Sequence, residues 1–290
     1  MTSSLGLCIA CRGELAFFGR QNSYDYGSCD ACRSLQVAPL PSAEKVEQAY
    51  RDSQYSSDNS HGQGNADAVR KASKAHYDCI SNALKAQKVS GKVLDYGAGW
   101  GGLVEVLRNS GFDASGLEMS QGMVEECRNR GLPVQGGDFS TAKIPEGSLS
   151  AVTMCGVFEH LLTPDVFLDH VNAALEKDGI FASLQPSAPF ARLLANCLRS
   201  GSDKKELPRN FYIFDPPWHI ALLSVPGMQK LTERHGFELL EIRPVPQGRL
   251  PGWTGVLQAV VSHVNKMGWA VFGTSWPLMV SHLFIFKKVC

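Results

Sequence analysis

The ten residues VLDYGAGWGG at 93–102 constrain the fold of this chain more than any other stretch. A short apolar run enters a glycine loop, and a segment of helical spacing follows. Gly97 and Gly99 let the backbone bend and approach a ligand closely, while the helix behind them presents free amides. The downstream pattern agrees with a parallel sheet flanked by helices. Strands are expected at 92–96, 114–119, 133–135, 149–156 and 179–184, alternating with helices over 101–109, 120–131 and 163–175. Strands at 238–243 and 282–288 complete the set. The fold class is therefore α/β: a Rossmann-like, seven-stranded, mostly parallel sheet with helices on both faces, plus a small N-terminal zinc ribbon.

The ribbon is read from cysteine placement. Cys8-x2-Cys11 and Cys29-x2-Cys32 are separated by 17 residues, whereas the other five cysteines are scattered singly. Each pair sits on a tight turn that points two sulfurs at one ion, with a hairpin between the pairs. Four thiolates leave no open position, so a zinc ion here is expected to be structural. A segment this short has little apolar surface to bury, so the metal is expected to supply its folding energy. An odd cysteine count in a chain without a secretory pattern in MTSSLGLCIA argues against a disulfide framework and for a cytoplasmic address.

Three regions follow: a zinc-ribbon-like segment at 1–40, a connector and lid helix at 41–90, and the sheet domain at 91–290. Insertions at about 187–224 and 244–280 are expected to hold substrate-binding loops. The polar run at 51–67 reads as a connector or lid, and residues 66–88 as a helix. Residues 267–286 carry no Lys, Arg, Asp or Glu, but glycines, a proline and polar residues interrupt them. Membrane contact is therefore not expected. The chain has 28 Lys+Arg against 28 Asp+Glu, a balance that argues against nucleic acid as the main partner.

Gly97-x-Gly99-x-x-Gly102 also satisfies the dinucleotide fingerprint. Two acidic residues decide between ligands. Asp95, just before the glycines, would repel a pyrophosphate and favour a cation. Glu118, 21 residues after Gly97, can accept from both ribose hydroxyls. A cationic ribonucleoside without phosphate, S-adenosylmethionine, fits this pair better than NAD.

The glycine motif, Glu118, Gly137-Asp138-Phe139, VTMCGVFEHL (152–161) and LEKDGIFASLQPS (175–187) resemble, in order and spacing, the successive motifs of the class I S-adenosylmethionine-dependent methyltransferases. Lys177-Asp178-Gly179 stands where that family usually has Pro-Gly. With the cysteine pairs, Pro216-Pro217-Trp218-His219 and Gly236-Phe237, the chain looks like the bacterial subgroup with an N-terminal zinc ribbon. Members of that subgroup are often associated with sugar, cell-surface polysaccharide or natural-product modification. The resemblance implies that Gly97 and Gly99 approach the methionine part and that Asp95 faces its ammonium group. It puts Glu118 on the ribose, Met119 on the adenine, Asp138 on the adenine amine and Phe139 beside the ring. Trp100 and Cys155 complete the implied cofactor lining.

A methyl sulfonium is already activated, so the protein chiefly aligns the reactants and excludes water. A hydroxyl or carbon acid also needs a base. His160 and His219 are the candidates, His219 having Tyr212, Asp215 and Trp218 close by in sequence; the other six histidines, His282 among them, read as surface or packed residues. The expected function is methyl transfer to a small-molecule acceptor, a sugar or natural-product intermediate. The rivals are an RNA methyltransferase gripping RNA with the ribbon, a non-catalytic scaffold, and an NAD-dependent oxidoreductase.

Overall fold

The computed structural model describes residues 5–52, 66–198, 206–207, 213–245 and 253–289. Most of the polar run at 51–67, Tyr212, and most of the stretch at 244–254 lie outside the described residues.

An antiparallel hairpin, β1 (Leu15–Gln21) and β2 (Tyr24–Cys29), opens the described chain, and the short β3 (Leu35–Val37) pairs with β2. Asn22 and Ser23 both take left-handed φ values, 49° and 66°, which match a two-residue turn to the twist of its strands. Helices α1 (Ala43–Asp52) and α2 (Ala66–Ala86) follow. α2 buries Ile80, Ala83 and Leu84, its apolar face at helical spacing, in one cluster with Val93, Leu283 and Ile285.

The main sheet then forms by alternation: β4 (Lys92–Tyr96), α3 (Gly102–Asn109), β5 (Asp113–Glu118), α4 (Gln121–Asn129), β6 (Val134–Gly136), β7 (Leu149–Cys155), α5 (Pro164–Ala174) and β8 (Leu175–Pro186). Helix α6 (Ala188–Leu198), strand β9 (Ala221–Leu222), helix α7 (Val225–Glu233) and strand β10 (Phe237–Pro244) come next. Helix α8 (Trp253–Phe272) and strand β11 (Ser281–Lys288) close the chain. The seven strands lie in the order β10-β11-β8-β7-β4-β5-β6. β8, β7, β4, β5 and β6 are mutually parallel, and β11 runs antiparallel to both β8 and β10. β7 is buried almost throughout, as a central strand covered on both faces must be.

Three expectations need correction. β8 begins at Leu175 and not at Gly179: Leu149 pairs with Leu175 and Ala151 with Ile180, so the Lys177-Asp178-Gly179 step is an irregularity inside the strand. Asp178 takes a φ of 62° there. The stretch at 187–224 is more ordered than a set of loops, containing α6 and β9. β9 pairs with β3, Leu35 opposite Leu222, which makes a second, four-stranded sheet β1-β2-β3-β9. The N-terminal segment is thereby sewn into the downstream chain. Tyr26, Leu35 and Val37 share a core with Ala188, Ala191, Ala195 and Leu222, while Cys8, Cys29 and Cys32 share one with Phe158, Phe181 and Met228. Apolar burial thus adds to whatever a metal contributes to holding this segment.

The uncharged run at 267–286 divides between α8, a single 3-10 turn and β11, whose Leu283–Phe286 centre is buried. Among the described residues, no helix is long and apolar enough to cross a membrane.

Candidate active site

The carboxyl ends of β4 and β5 assemble the first half of the site. Asp95 is buried, and the Thr153 hydroxyl of neighbouring β7 donates to its Oδ1 at 2.9 Å. Burial pushes its carboxyl up to about 8, the charge of Glu118 adds to this, and the Thr153 hydrogen bond opposes it. Gly97 has a φ of 72°, and a Cβ there would fall 2.6 Å from Val157 Cγ2, so no other residue fits. At Gly99, φ 53°, a Cβ would meet nothing within 4 Å, which marks the open side of the loop.

Glu118 holds this loop in shape. Its Oε2 accepts from the Gly99 amide and its Oε1 from the Ser120 amide, both at 2.8 Å. From the outside, Arg70 of α2 donates to the Trp100 carbonyl at 3.3 Å, and the Tyr77 ring lies where a Gly102 side chain would be, 2.5 Å from its Cβ position. Sequence reasoning missed Thr153, Arg70 and Tyr77, because each meets the loop through tertiary packing. Trp100 is half-buried, and Met119 is 72% exposed beside Glu118.

After β6, Asp138 Oδ1 accepts from the amides and hydroxyls of both Ser140 and Thr141 at 2.7–3.0 Å. Burial pushes this carboxyl up, but these hydrogen bonds win and hold it below the ordinary range. The Phe139 ring stacks on Tyr96, centroids 5.1 Å apart and planes 9° apart, with Phe167 edge-on. Cys155 ends β7, partly exposed.

The second half lies beyond β7, where Phe158–His160 form one 3-10 turn. His160 and His219 come together here, ring centroids 5.1 Å apart. His160 Nδ1 donates to the Trp218 carbonyl at 2.8 Å, and His219 Nδ1 to the Ile213 carbonyl at 3.1 Å. A carbonyl only accepts, so each Nδ1 carries the hydrogen and each neutral ring keeps its lone pair on Nε2. Burial depresses both imidazoles, His160 to about 4, so both are neutral near pH 7. The Tyr26 hydroxyl donates to the His219 carbonyl at 2.8 Å, and the Ile220 amide to the Glu159 carbonyl at 2.8 Å, so the N-terminal sheet braces this loop.

Buried polar atoms without a partner collect on this side. Glu159 is 3% exposed with Oε2 unpartnered among the described residues, and Ser183 Oγ, Gln185 Nε2 and His282 Nε2 are in the same condition. His282 pairs across strands with Gln185 and is buried, which agrees with its reading as a packed residue. The signal that could have found Ser183 and Gln185 is their alternation with Phe181 on one face of an apolar strand.

A separate cluster lies on the N-terminal segment. Cys8 Sγ is 3.6 Å from Cys32 Sγ, Cys11 Sγ is 3.4 Å from Cys29 Sγ, and all four sulfurs lie within 4.8 Å of one another. The two Cys-x2-Cys turns are built alike. The Arg12 and Arg33 amides donate to the Cys8 and Cys29 carbonyls, and the Cys8 and Cys29 amides donate to the Gly13 and Ser34 carbonyls. Repeated turns carrying converging sulfurs fit a tetrahedral thiolate-bound ion.

A methyltransferase-domain family model matches residues 69–242, more than half of the chain. Among solved structures, a Burkholderia thailandensis 1,6-didemethyltoxoflavin-N1-methyltransferase with bound 1,6-didemethyltoxoflavin and S-adenosylhomocysteine is 14% identical. That match covers 94% of this chain and 99% of the other, with a TM-score of 0.54. A Haloferax volcanii complex of the Trm112 methyltransferase activator and a methyltransferase matches at 16% identity over 79% of this chain and 95% of that one, TM-score 0.54. No curated protein matches the sequence. The glycine loop, the acidic strand ends and the domain match lead to one family, and the chain belongs to the class I S-adenosylmethionine-dependent methyltransferases.

Proposed function

We propose that this enzyme transfers the methyl group of S-adenosylmethionine to an oxygen or carbon of a polar small molecule, a sugar or natural-product intermediate. The observation that carries this reading is the pairing of two neutral, half-buried imidazoles at the carboxyl edge of the sheet, next to the strand ends that carry Asp95 and Cys155. The Gly97–Gly99 loop receives the methionine part with Asp95 facing its ammonium group. Glu118 takes the ribose, exchanging an amide it now holds for a hydroxyl, and Met119, Asp138 and Phe139 bound the adenine. Trp100 and Cys155 line the cofactor.

In the reaction the acceptor gives up its proton, its electron pair attacks the methyl carbon, and the carbon–sulfur bond breaks with its electrons returning to sulfur. The sulfonium becomes a neutral thioether, so charge separation falls along the path. His219, or His160 beside it, promotes loss of the acceptor proton; a neutral Nε2 lone pair can take it directly. Cys8, Cys11, Cys29 and Cys32 hold a structural zinc ion.

Calorimetric titration with S-adenosylmethionine, S-adenosylhomocysteine and NAD tests the cofactor assignment. Binding of the first two and not the third is expected. Turnover undiminished in both His160→Ala and His219→Ala would remove the histidines from the mechanism.

A further inference from the structure

We propose that Glu159, His160 and His219 bind a divalent transition-metal ion, forming a two-histidine, one-carboxylate site distinct from the four-cysteine cluster. One donor atom from each of the three residues lies within 4.8 Å of the others. Bonds of about 2 Å from a common ion place neighbouring donors about 3–3.5 Å apart, so an ångström or so of side-chain rotation closes the set.

The surroundings of the three residues are those of ligands. Both Nδ1 atoms are committed to backbone carbonyls of one loop, Ile213 and Trp218, which fixes ring orientation and leaves Nε2 as the coordinating atom. Metal-bound histidines are held in this way, the second nitrogen donating to a carbonyl or carboxylate. Glu159 Oε2 is buried and unpartnered among the described residues, although the glutamate main chain is pinned by the Ile220 amide. An ionised carboxylate grouped with two imidazole lone pairs gains nothing from either, since all three groups are then acceptors. A single cation satisfies all three at once.

The donor set selects the ion class. Two imidazoles and one carboxylate suit zinc, iron(II) or manganese, and suit calcium or magnesium poorly. Three protein ligands leave coordination positions open, in contrast to the closed set of four thiolates. Ser183, Gln185 and His282, with their own unpartnered atoms, occupy the same edge of the sheet. The consequence for catalysis rests on the methyltransferase reading: an acceptor oxygen at an open position would be acidified by the ion, its proton leaving to solvent. The histidines would then act on that proton through the ion.

The test counts ions by difference. Purified wild type, Glu159→Gln and His219→Ala are each equilibrated with zinc and, separately, with manganese, then desalted and assayed for metal per chain. The expected result is one equivalent fewer in both variants than in wild type for at least one of the two ions, whatever the four cysteines retain. Equal content in all three proteins with both ions would overturn the proposal. Calorimetric binding of S-adenosylmethionine, retained in the variants, shows that they are folded. Absence of that binding in wild type would count against the methyltransferase reading and leave the metal count standing on its own.

Discussion

The two halves of the sheet edge treat their polar groups in opposite ways. At the β4–β6 end, Asp95, Glu118 and Asp138 each accept hydrogen bonds from the protein itself: Thr153 on the first, two amides on the second, Ser140 and Thr141 on the third. At the β7–β8–β11 end, Glu159, Ser183, Gln185 and His282 each keep a buried polar atom without a partner among the described residues. Buried polar atoms are nearly always paired, and four exceptions in one region mark a place whose partners lie beyond the described residues. One half is set by the protein's own hydrogen bonds; the other is left open among the described residues. Preorganised donors and acceptors suit a cofactor of fixed shape, whereas the unpartnered set leaves specificity to the acceptor.

The largest expected effect comes from the N-terminal segment, because it belongs to the second half. Cys29 lies in one core with Phe158 and Met228, and Tyr26 holds the His219 loop. Isolated zinc modules owe about 10–16 kcal/mol to their metal. Burial retains part of this here, so Cys29→Ser should cost about 5 kcal/mol and lower Tm by about 10–20 °C. Zinc content should fall by one equivalent. If the halves are separable, affinity for S-adenosylmethionine measured below the lowered Tm stays near wild type. Equal loss of stability and cofactor affinity would show a single cooperative unit.

Glu118→Ala attacks the preset half. The carboxylate makes two charge-assisted hydrogen bonds to the loop amides, each worth about 1.5–3 kcal/mol. Cofactor binding should weaken by a factor on the order of 100 or more, read by calorimetry. A change under about tenfold would mean the loop holds its shape without Glu118.

This division also explains what the sequence disclosed. Gly97, Asp95 and Glu118 are legible because strand, loop and helix are local in the chain, and each turn conformation has a residue preference. The cysteine pairs are legible because tetrahedral coordination demands their spacing. β9 was not, since two residues become a strand only where β3, remote in sequence, offers an edge. The early start of β8 was hidden because Asp178 adopts a left-handed φ that glycine usually supplies. His160 and His219 each stood out singly; only the packing of the 213–220 loop on the turn after β7 brings their rings together. Ser183 and Gln185 lie inside the 175–187 motif and His282 in none, yet none of them stands out as a site residue, because a polar residue on the inner face of a strand declares itself only once that face is known to be buried.

Asp95 gives a smaller, signed effect. With its carboxyl near 8 and an ordinary value of 3.8 when exposed, the folded protein binds the extra proton between these limits. Its contribution to stability is complete below about pH 4 and is lost as pH rises through 8. A bound cation reverses the preference and draws the proton off. Near pH 7, uptake of S-adenosylmethionine should release a proton from Asp95, and affinity should rise with pH up to about 8 before levelling. Titrations in buffers of different ionisation enthalpy measure the release directly. Asp95→Asn should abolish it; release unchanged in that variant would assign the proton elsewhere.

The smallest effect has the opposite sign, which makes it the sharpest test of the comparison. Gln185 is buried with Nε2 unpartnered among the described residues, so these leave the desolvation of that group without a compensating bond. Gln185→Met keeps the length of the side chain and removes the amide. The variant should therefore be more stable by about 1 kcal/mol in urea unfolding, with cofactor affinity unchanged. A substitution that removes Thr153 Oγ1 from Asp95 should destabilise by a similar amount, because that bond is already made. Should Gln185→Met destabilise instead, an ordered water satisfies the amide in solution, and the second half is as preset as the first.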